Sequence, residues 1–539
     1  MRTALWVLGI SLAAVLSHAC GDGETSSQSS PVPEPDSGVA NDAGADAPMD
    51  GALFDAGHDV TVEDTRGDAP RPDGRLDAGG SVCPGEDSPP DAGADTGTAV
   101  PTRLIEGPAV PIGVTSDGYA LYRKHPKLSA VKLDRPGEAT DVSAQAGNAL
   151  VRGRLLFYWT NVDYASARGD LMVWSGPSCP RVIGNTLLAE DLVAASQDGS
   201  RILYAANVTD TTLDVVVATR DLAEREILVF GAGRGSEETC RPRYAFAGSD
   251  VLAAWCTPGS RSAKLVLFRK EAEGHVSIEL TADAQPDFST DERGERVFYV
   301  TAGSQGRLWE GADRGEIDNA VGWGRMLPDG SALLYTVGDQ LRRTTLPEIV
   351  PIPVVTNKFR QLGAFSPDFS HVLYSTTVVY EGGERRDLLL TPTTGFNPTP
   401  LKLVATPEAR LSRATFTRNS RHTVYLTGAA AEASGTLHVR AVTGAAEITA
   451  PGVDTVAAAR DALLVFSDAR GNPDQYPILA DLKLLNAEGA EPPSLLQARI
   501  VDGRSFYVTA DGQSVVYARP ADAQDPSSDV EGLWLHPLP

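Results

Sequence analysis

Five cysteines and eight histidines are the side chains best suited to hold a metal or to act as nucleophile and base. No Cys-x-x-Cys or His-x-x-His pair occurs, so the usual zinc spacings are missing and no metal site is expected. Gly-x-Ser-x-Gly, His-Glu-x-x-His and the Walker phosphate loop are absent too. The glycine-rich run Gly231–Gly235 follows the apolar EILVF, but no helical or βαβ pattern comes after it. It therefore reads as a connecting loop rather than a dinucleotide site. His371 and His422 occupy equivalent places beside an apolar run, which suggests loop surface. These residues assign no catalytic group and no cofactor. Sequence spacing leaves open a site assembled from His, Lys and Arg of separate segments.

Cys240 and Cys256 flank RPRYAFAGSDVLAAW, which has turn residues at Gly248–Ser249. A hairpin there sets the two nearly opposite each other across neighbouring strands, so a Cys240–Cys256 disulfide is predicted. The alternative is two separate buried thiols. Cys83 and Cys179 remain, and could pair with each other.

The ends of the chain are made of different materials. Arg2 precedes an apolar stretch, Ala4–Leu16, followed by Ser17, His18, Ala19 and Cys20. This resembles a bacterial lipoprotein signal, which implies removal of residues 1–19 and lipidation of Cys20. Gly21 after the cysteine favours the outer membrane. Cleavage after Ala19 by ordinary signal peptidase, giving a secreted soluble protein, is the alternative. Residues 20–101 are rich in Asp, Ala, Gly and Pro, and residues 21–100 hold 18 acids against 3 arginines. So little apolar surface and so much self-repulsion predict a disordered spacer. A formal charge of −24 also argues against nucleic acid as a partner.

From residue 102 to residue 539 one pattern returns. Its clearest copies are GVTSDGYALYR, AASQDGSRILYAA, RMLPDGSALLYTV, AFSPDFSHVLYST and YVTADGQSVVYAR. Each runs from a small or polar residue through a turn to apolar residues ending in an aromatic, which reads as strand, tight turn, strand. Asp117, Asp198, Asp329, Asp368 and Asp511 take the turn position, where an aspartate caps backbone amides. A further apolar strand follows most copies, such as LDVVVAT or AKLVLF, then a weaker fourth. The aromatic anchors are Tyr122, Tyr158, Tyr204, Trp255, Tyr299, Tyr335, Tyr374, Tyr425, Phe466 and Tyr517, spaced 36 to 51 residues apart. Four strands in such a period imply an all-β protein, a β-propeller of four-stranded antiparallel blades with about ten repeat units. One large ring and two smaller rings both fit. The segment Arg103–Val110 could supply the strand missing from the last unit.

The Pro-Asp-bearing copies, AFSPDFSHVLY above all, resemble the repeats of TolB-type, WD40-like propellers. Together with the lipoprotein-type signal, that resemblance implies a module in the cell envelope, anchored to a membrane by lipid, that binds or scaffolds a protein, peptide or envelope polymer. An extracytoplasmic enzyme, lyase-like or hydrolase-like with its site at the channel mouth, is the alternative. Replacing Cys20 by Ala should move the protein from the membrane to the soluble fraction. Undiminished membrane retention on fractionation would refute lipidation at this residue.

Overall fold

The computed structural model describes residues 100–539 apart from 177–179, 189–192, 210, 234–241, 257–261, 357–358, 381–382, 406–408, 429–433, 445–446, 471–478, 490, 502–504 and 522–530. The signal, the spacer, Cys20, Cys83, Cys179 and Cys240 lie outside the described residues. Among the described residues the regular structure is entirely strand, 38 in all.

Adjacent paired strands run antiparallel, and their order resolves into ten four-stranded units. Five are separate sheets. An eleven-stranded sheet holds three more and a seven-stranded sheet holds two. Of the three joins, one is a single pair, Gly233 with Cys256, and the other two are shared strands. Gly274–Thr290 pairs with Ala263–Glu271 along its first part and with Val297–Thr301 along its last, so one long strand ends one unit and starts the next. Glu447–Ala458 does the same between Gly435–Ala441 and Leu463–Arg470. We number the units as blades 1 to 10 in chain order, from the one opening at Val110 to the one opening at Tyr507, and their strands first to fourth.

All ten aromatic anchors fall on second strands, and nine of them are buried. Neighbouring residues of a second strand point to opposite faces, so each strand serves two interfaces. In blade 1, Leu121 packs towards blade 2 with Leu156 and Tyr158, while Tyr122 packs towards blade 10 with Val516 and Leu533. In blade 3, Tyr204 faces Phe157 and Trp159 of blade 2, and Leu203 faces Val251 and Ala253 of blade 4. Burial on both faces explains why the apolar residues run on without a break.

Ten hydrophobic clusters result, each between consecutive blades, and one of them joins blade 10 to blade 1. Among the described residues no cluster links blades further apart, so the packing forms one circuit. The chain is a ten-bladed β-propeller in a single ring. Thr102–Glu106 is the fourth strand of blade 10, pairing antiparallel with Gly532–Pro537. The ring is thus closed by strands from both ends of the folded region.

Contacts between neighbouring blades concentrate on first strands, which converge on the axis while the fourth strands splay outward. Convergence leaves little room. A Cβ at Gly324, on the first strand of blade 6, would overlap the Phe298 ring of blade 5. Closure can be probed at Leu104, which is 1% exposed. Leu104→Ala should destabilise the ring by about 2–5 kcal/mol, and Thr102→Ala, at an exposed neighbour, by no more than about 0.5 kcal/mol. Denaturant unfolding of the two variants checks this, and equal effects would remove the closing strand from the account.

Candidate functional site

The repeat turns are built alike. Ser196 and Ser366 each accept, at 2.9 Å, the backbone N–H that opens the following strand, from Arg201 and His371. Thr509 accepts the equivalent N–H of Ser514 at 3.0 Å, and Thr417 that of His422 at 3.1 Å. The turn aspartates then bind these hydroxyls. Asp198 accepts Ser196 Oγ–H at 2.6 Å and the Ser200 N–H and Oγ–H at 3.0 and 2.8 Å. Asp368 has the same set from Ser366 and Ser370. Asp511 accepts from Thr509 and the Gln513 N–H, and Asp329 from the Ser331 N–H. Asp117 departs from the set, because its Oδ1 is buried without a hydrogen-bond partner.

Hydrogen bonding from Ser196 lowers the Asp198 carboxyl to about 2. At Asp368 burial pushes upward, and the bonds from Ser366 and Ser370 overcome it, again to about 2. A carboxylate depressed in the folded state stabilises it above its unfolded value of about 3.9 and loses that contribution as the pH falls towards 2.

Cys256 ends the second strand of blade 4, is 2% exposed and is disulfide-bonded. Cys240, its expected partner, is outside the described residues, so the pairing remains a proposal.

The expected loop position of His371 and His422 is corrected slightly. Both are the first residues of second strands, and burial lowers the pKa of each. Neither shares a polar cluster with another histidine.

Three other polar groupings emerge. A cleft of about 280 Å³ in blade 5 is lined by Thr281, Asp283, Tyr299, Gln305, Arg307 and Asp313 among others. Two of its polar side chains are already engaged: Arg307 donates to Asp313, and Gln305 donates to Glu316 at 3.2 Å. Within blade 8, Thr427 Oγ1 lies 2.8 Å from His438 Nε2, and His438 Nδ1 lies 2.7 Å from Glu447 Oε1. Tyr425 donates to the same carboxylate oxygen at 3.2 Å and stacks on the imidazole at 4.9 Å. Sequence spacing hid this relay, because its members come from three strands. Antiparallel register, with Tyr425 opposite His438, is the signal that brings them together.

The third grouping is the inner wall. Ala149–Arg152, Arg243–Ala247, Val321–Met326, Phe359–Phe365 and Ala409–Phe416 are first strands, and they carry Arg152, Arg243, Arg325, Arg360, Arg410 and Arg413. The first strands hold no lysine. Arg243 is bound to Asp287 of the neighbouring first strand at 3.1 Å. Trp323 and Phe359 meet between blades 6 and 7 with ring centroids 6.2 Å apart.

No family model and no curated protein matches the chain. Among solved structures, it is similar to a eukaryotic initiation factor at 11% identity, covering 77% of this chain and 91% of that one, with a TM-score of 0.41. An oligogalacturonate lyase from Vibrio parahaemolyticus is similar at 11% identity over 65% and 99%, TM-score 0.30. Prolyl endopeptidases are similar at 11% over 64% and 54%, TM-score 0.34. The propeller is read from the chain's own strand pairing, and these likenesses add nothing about its activity.

Replacing Asp198 and Asp368 together by Asn should lower the melting temperature at neutral pH and flatten its fall between about pH 4 and pH 2. Parallel melting curves for wild type and variant across that range would contradict a stabilising role for these carboxylates.

Proposed function

We propose that the chain is an extracytoplasmic binding module, held at a membrane through a lipid on Cys20, whose ring centre receives a protein, peptide or envelope polymer. The observation that carries this reading is the inner wall. It gathers partly exposed polar and aromatic side chains, Trp323, Arg325, Arg360 and Gln361 among them, on adjacent first strands. A site on such strands is held rigidly, because each is fixed by its own sheet and by the cluster behind it. The test is position-specific crosslinking in intact cells, with a photoreactive residue placed at Gln361 in the centre or at Val350 on an outer strand. Adducts from the centre and none from the outer strand are expected. Adducts from Val350 alone would refute the reading.

The Thr427–His438–Glu447 relay favours a second reading, a hydrolase. Nucleophile, base and orienting carboxylate lie within hydrogen-bond reach in the required order. Thr427 would attack an ester carbonyl carbon and pass its proton to His438 Nε2. Glu447 would hold the imidazole through Nδ1–H. The imidazolium would then return the proton to the leaving alcohol, and water would release the acyl group. This reading moves the site from the channel mouth to the second, third and fourth strands of blade 8. Its test is hydrolysis of short-chain p-nitrophenyl esters together with organophosphonate labelling. Activity lost in both Thr427→Ala and His438→Ala, with the label on Thr427, would support it. Turnover equal to wild type in both variants would remove it.

A further inference from the structure

Charge is distributed against the trend of the whole chain. The sequence has 71 acids and 47 Lys and Arg, yet the first strands carry six arginines against two aspartates, Asp287 and Asp454. Neither aspartate is available to balance them: Asp287 is bound to Arg243, and Asp454 is only 4% exposed. Two of the arginines sit on consecutive blades, with Arg325 on blade 6 and Arg360 on blade 7. Arg325 and Arg360 are exposed, and among the described residues no carboxylate pairs with either. Arg360 lies where the register shifts between Phe359 and Gln361, a bulge of the kind that re-aims side chains.

Resting on the reading of the ring centre as a binding site, we propose that the inner wall of blades 6 to 8 binds an acidic polysaccharide, a glycan bearing a carboxylate on its repeating unit. Each part of the wall matches part of such a ligand. Guanidinium groups present a planar fork that takes a carboxylate bidentately, which ammonium groups cannot do, and the wall uses arginine alone. Arginines on successive blades suit a ligand whose charges repeat along its length, rather than a single small anion. Trp323 is half-buried beside Arg325 and held by Phe359, so it offers a fixed apolar face to a sugar ring. Gln361 and Thr415 are exposed amide and hydroxyl groups able to bond sugar hydroxyls.

The test is calorimetric titration of the full mature chain with alginate, a polyuronate, with dextran as the neutral glycan and poly-L-glutamate as the acidic peptide. Alginate should bind at least about tenfold more tightly than either, and its affinity should fall as sodium chloride is raised through the range where the Debye length drops below about 8 Å. Arg325→Gln with Arg360→Gln should weaken alginate binding by about 30-fold or more, as expected for two lost charge-assisted contacts. Arg325→Lys with Arg360→Lys should lose part of that, since charge is kept and the fork is lost. Arg220→Gln, on an exposed turn away from the centre, should leave binding unchanged. An unaltered melting temperature in each variant shows that the ring is intact. Alginate bound equally by the Gln variant and wild type, or poly-L-glutamate bound as tightly as alginate, would overturn the inference. Dextran bound as tightly as alginate would overturn it while leaving the central binding reading standing. No binding of any polymer, with no crosslinks from Gln361, would sink both.

Discussion

A blade cannot bury itself. Its sheet has two apolar faces and no layer of its own to cover them, so each blade is stable only between two neighbours. That condition holds at the ends of the chain only if the first and last blades meet. The pairing of Thr102–Glu106 with Gly532–Pro537 makes them meet, and Leu104 and Ile105 join Tyr122, Val131 and Val516 in the cluster that completes the circuit. Every other interface depends on this one indirectly, because an open ring would expose the outer faces of blades 1 and 10 to water. Full burial of one Leu or Phe side chain is worth about 1.5–3 kcal/mol, so each interface is a large share of a marginal total.

The turn chemistry answers a different need. In a ring of ten blades the first strands must lie side by side and still reverse sharply into second strands. At Asp198, Asp368 and Asp511 the Ser or Thr two residues before the turn aspartate accepts the backbone N–H across the hairpin, and the aspartate in turn accepts the hydroxyl and a following amide. This satisfies the turn's backbone polar groups within the hairpin itself. Adjacent turns also touch: the Asp368 N–H donates to Ser420 Oγ of the next blade at 3.1 Å, and Arg296 donates to the Gly330 carbonyl at 2.7 Å. The motif that fixes one hairpin therefore helps to fix the spacing between blades.

Charge is partitioned by the same architecture. Acidic residues dominate the sequence as a whole, whereas the converging strands carry arginines, and among the described residues no acid pairs with Arg325 or Arg360. The relay in blade 8 is of a different kind. There Glu447 accepts from both Tyr425 and His438, so the network is satisfied within one sheet.

The sequence by itself determined the unit and its approximate number. Tyr122 to Tyr517 recur with the period of a four-stranded blade, and second strands buried on both faces must be apolar without interruption, so both features were legible in the order of residues. The end segment Arg103–Val110 was legible as a candidate closing strand because the last repeat lacks one. Tertiary structure decided what depends on neighbours far apart in the chain. Local patterns are identical in one ring and in two, so only the cluster joining Val516 and Leu533 to Tyr122 selects the single circuit. Thr427, His438 and Glu447 are scattered in sequence and meet through strand register. Arg325 and Arg360 look like ordinary surface charges until ring closure carries their strands to the axis, since position relative to the axis is a property of the closed ring and of no single segment.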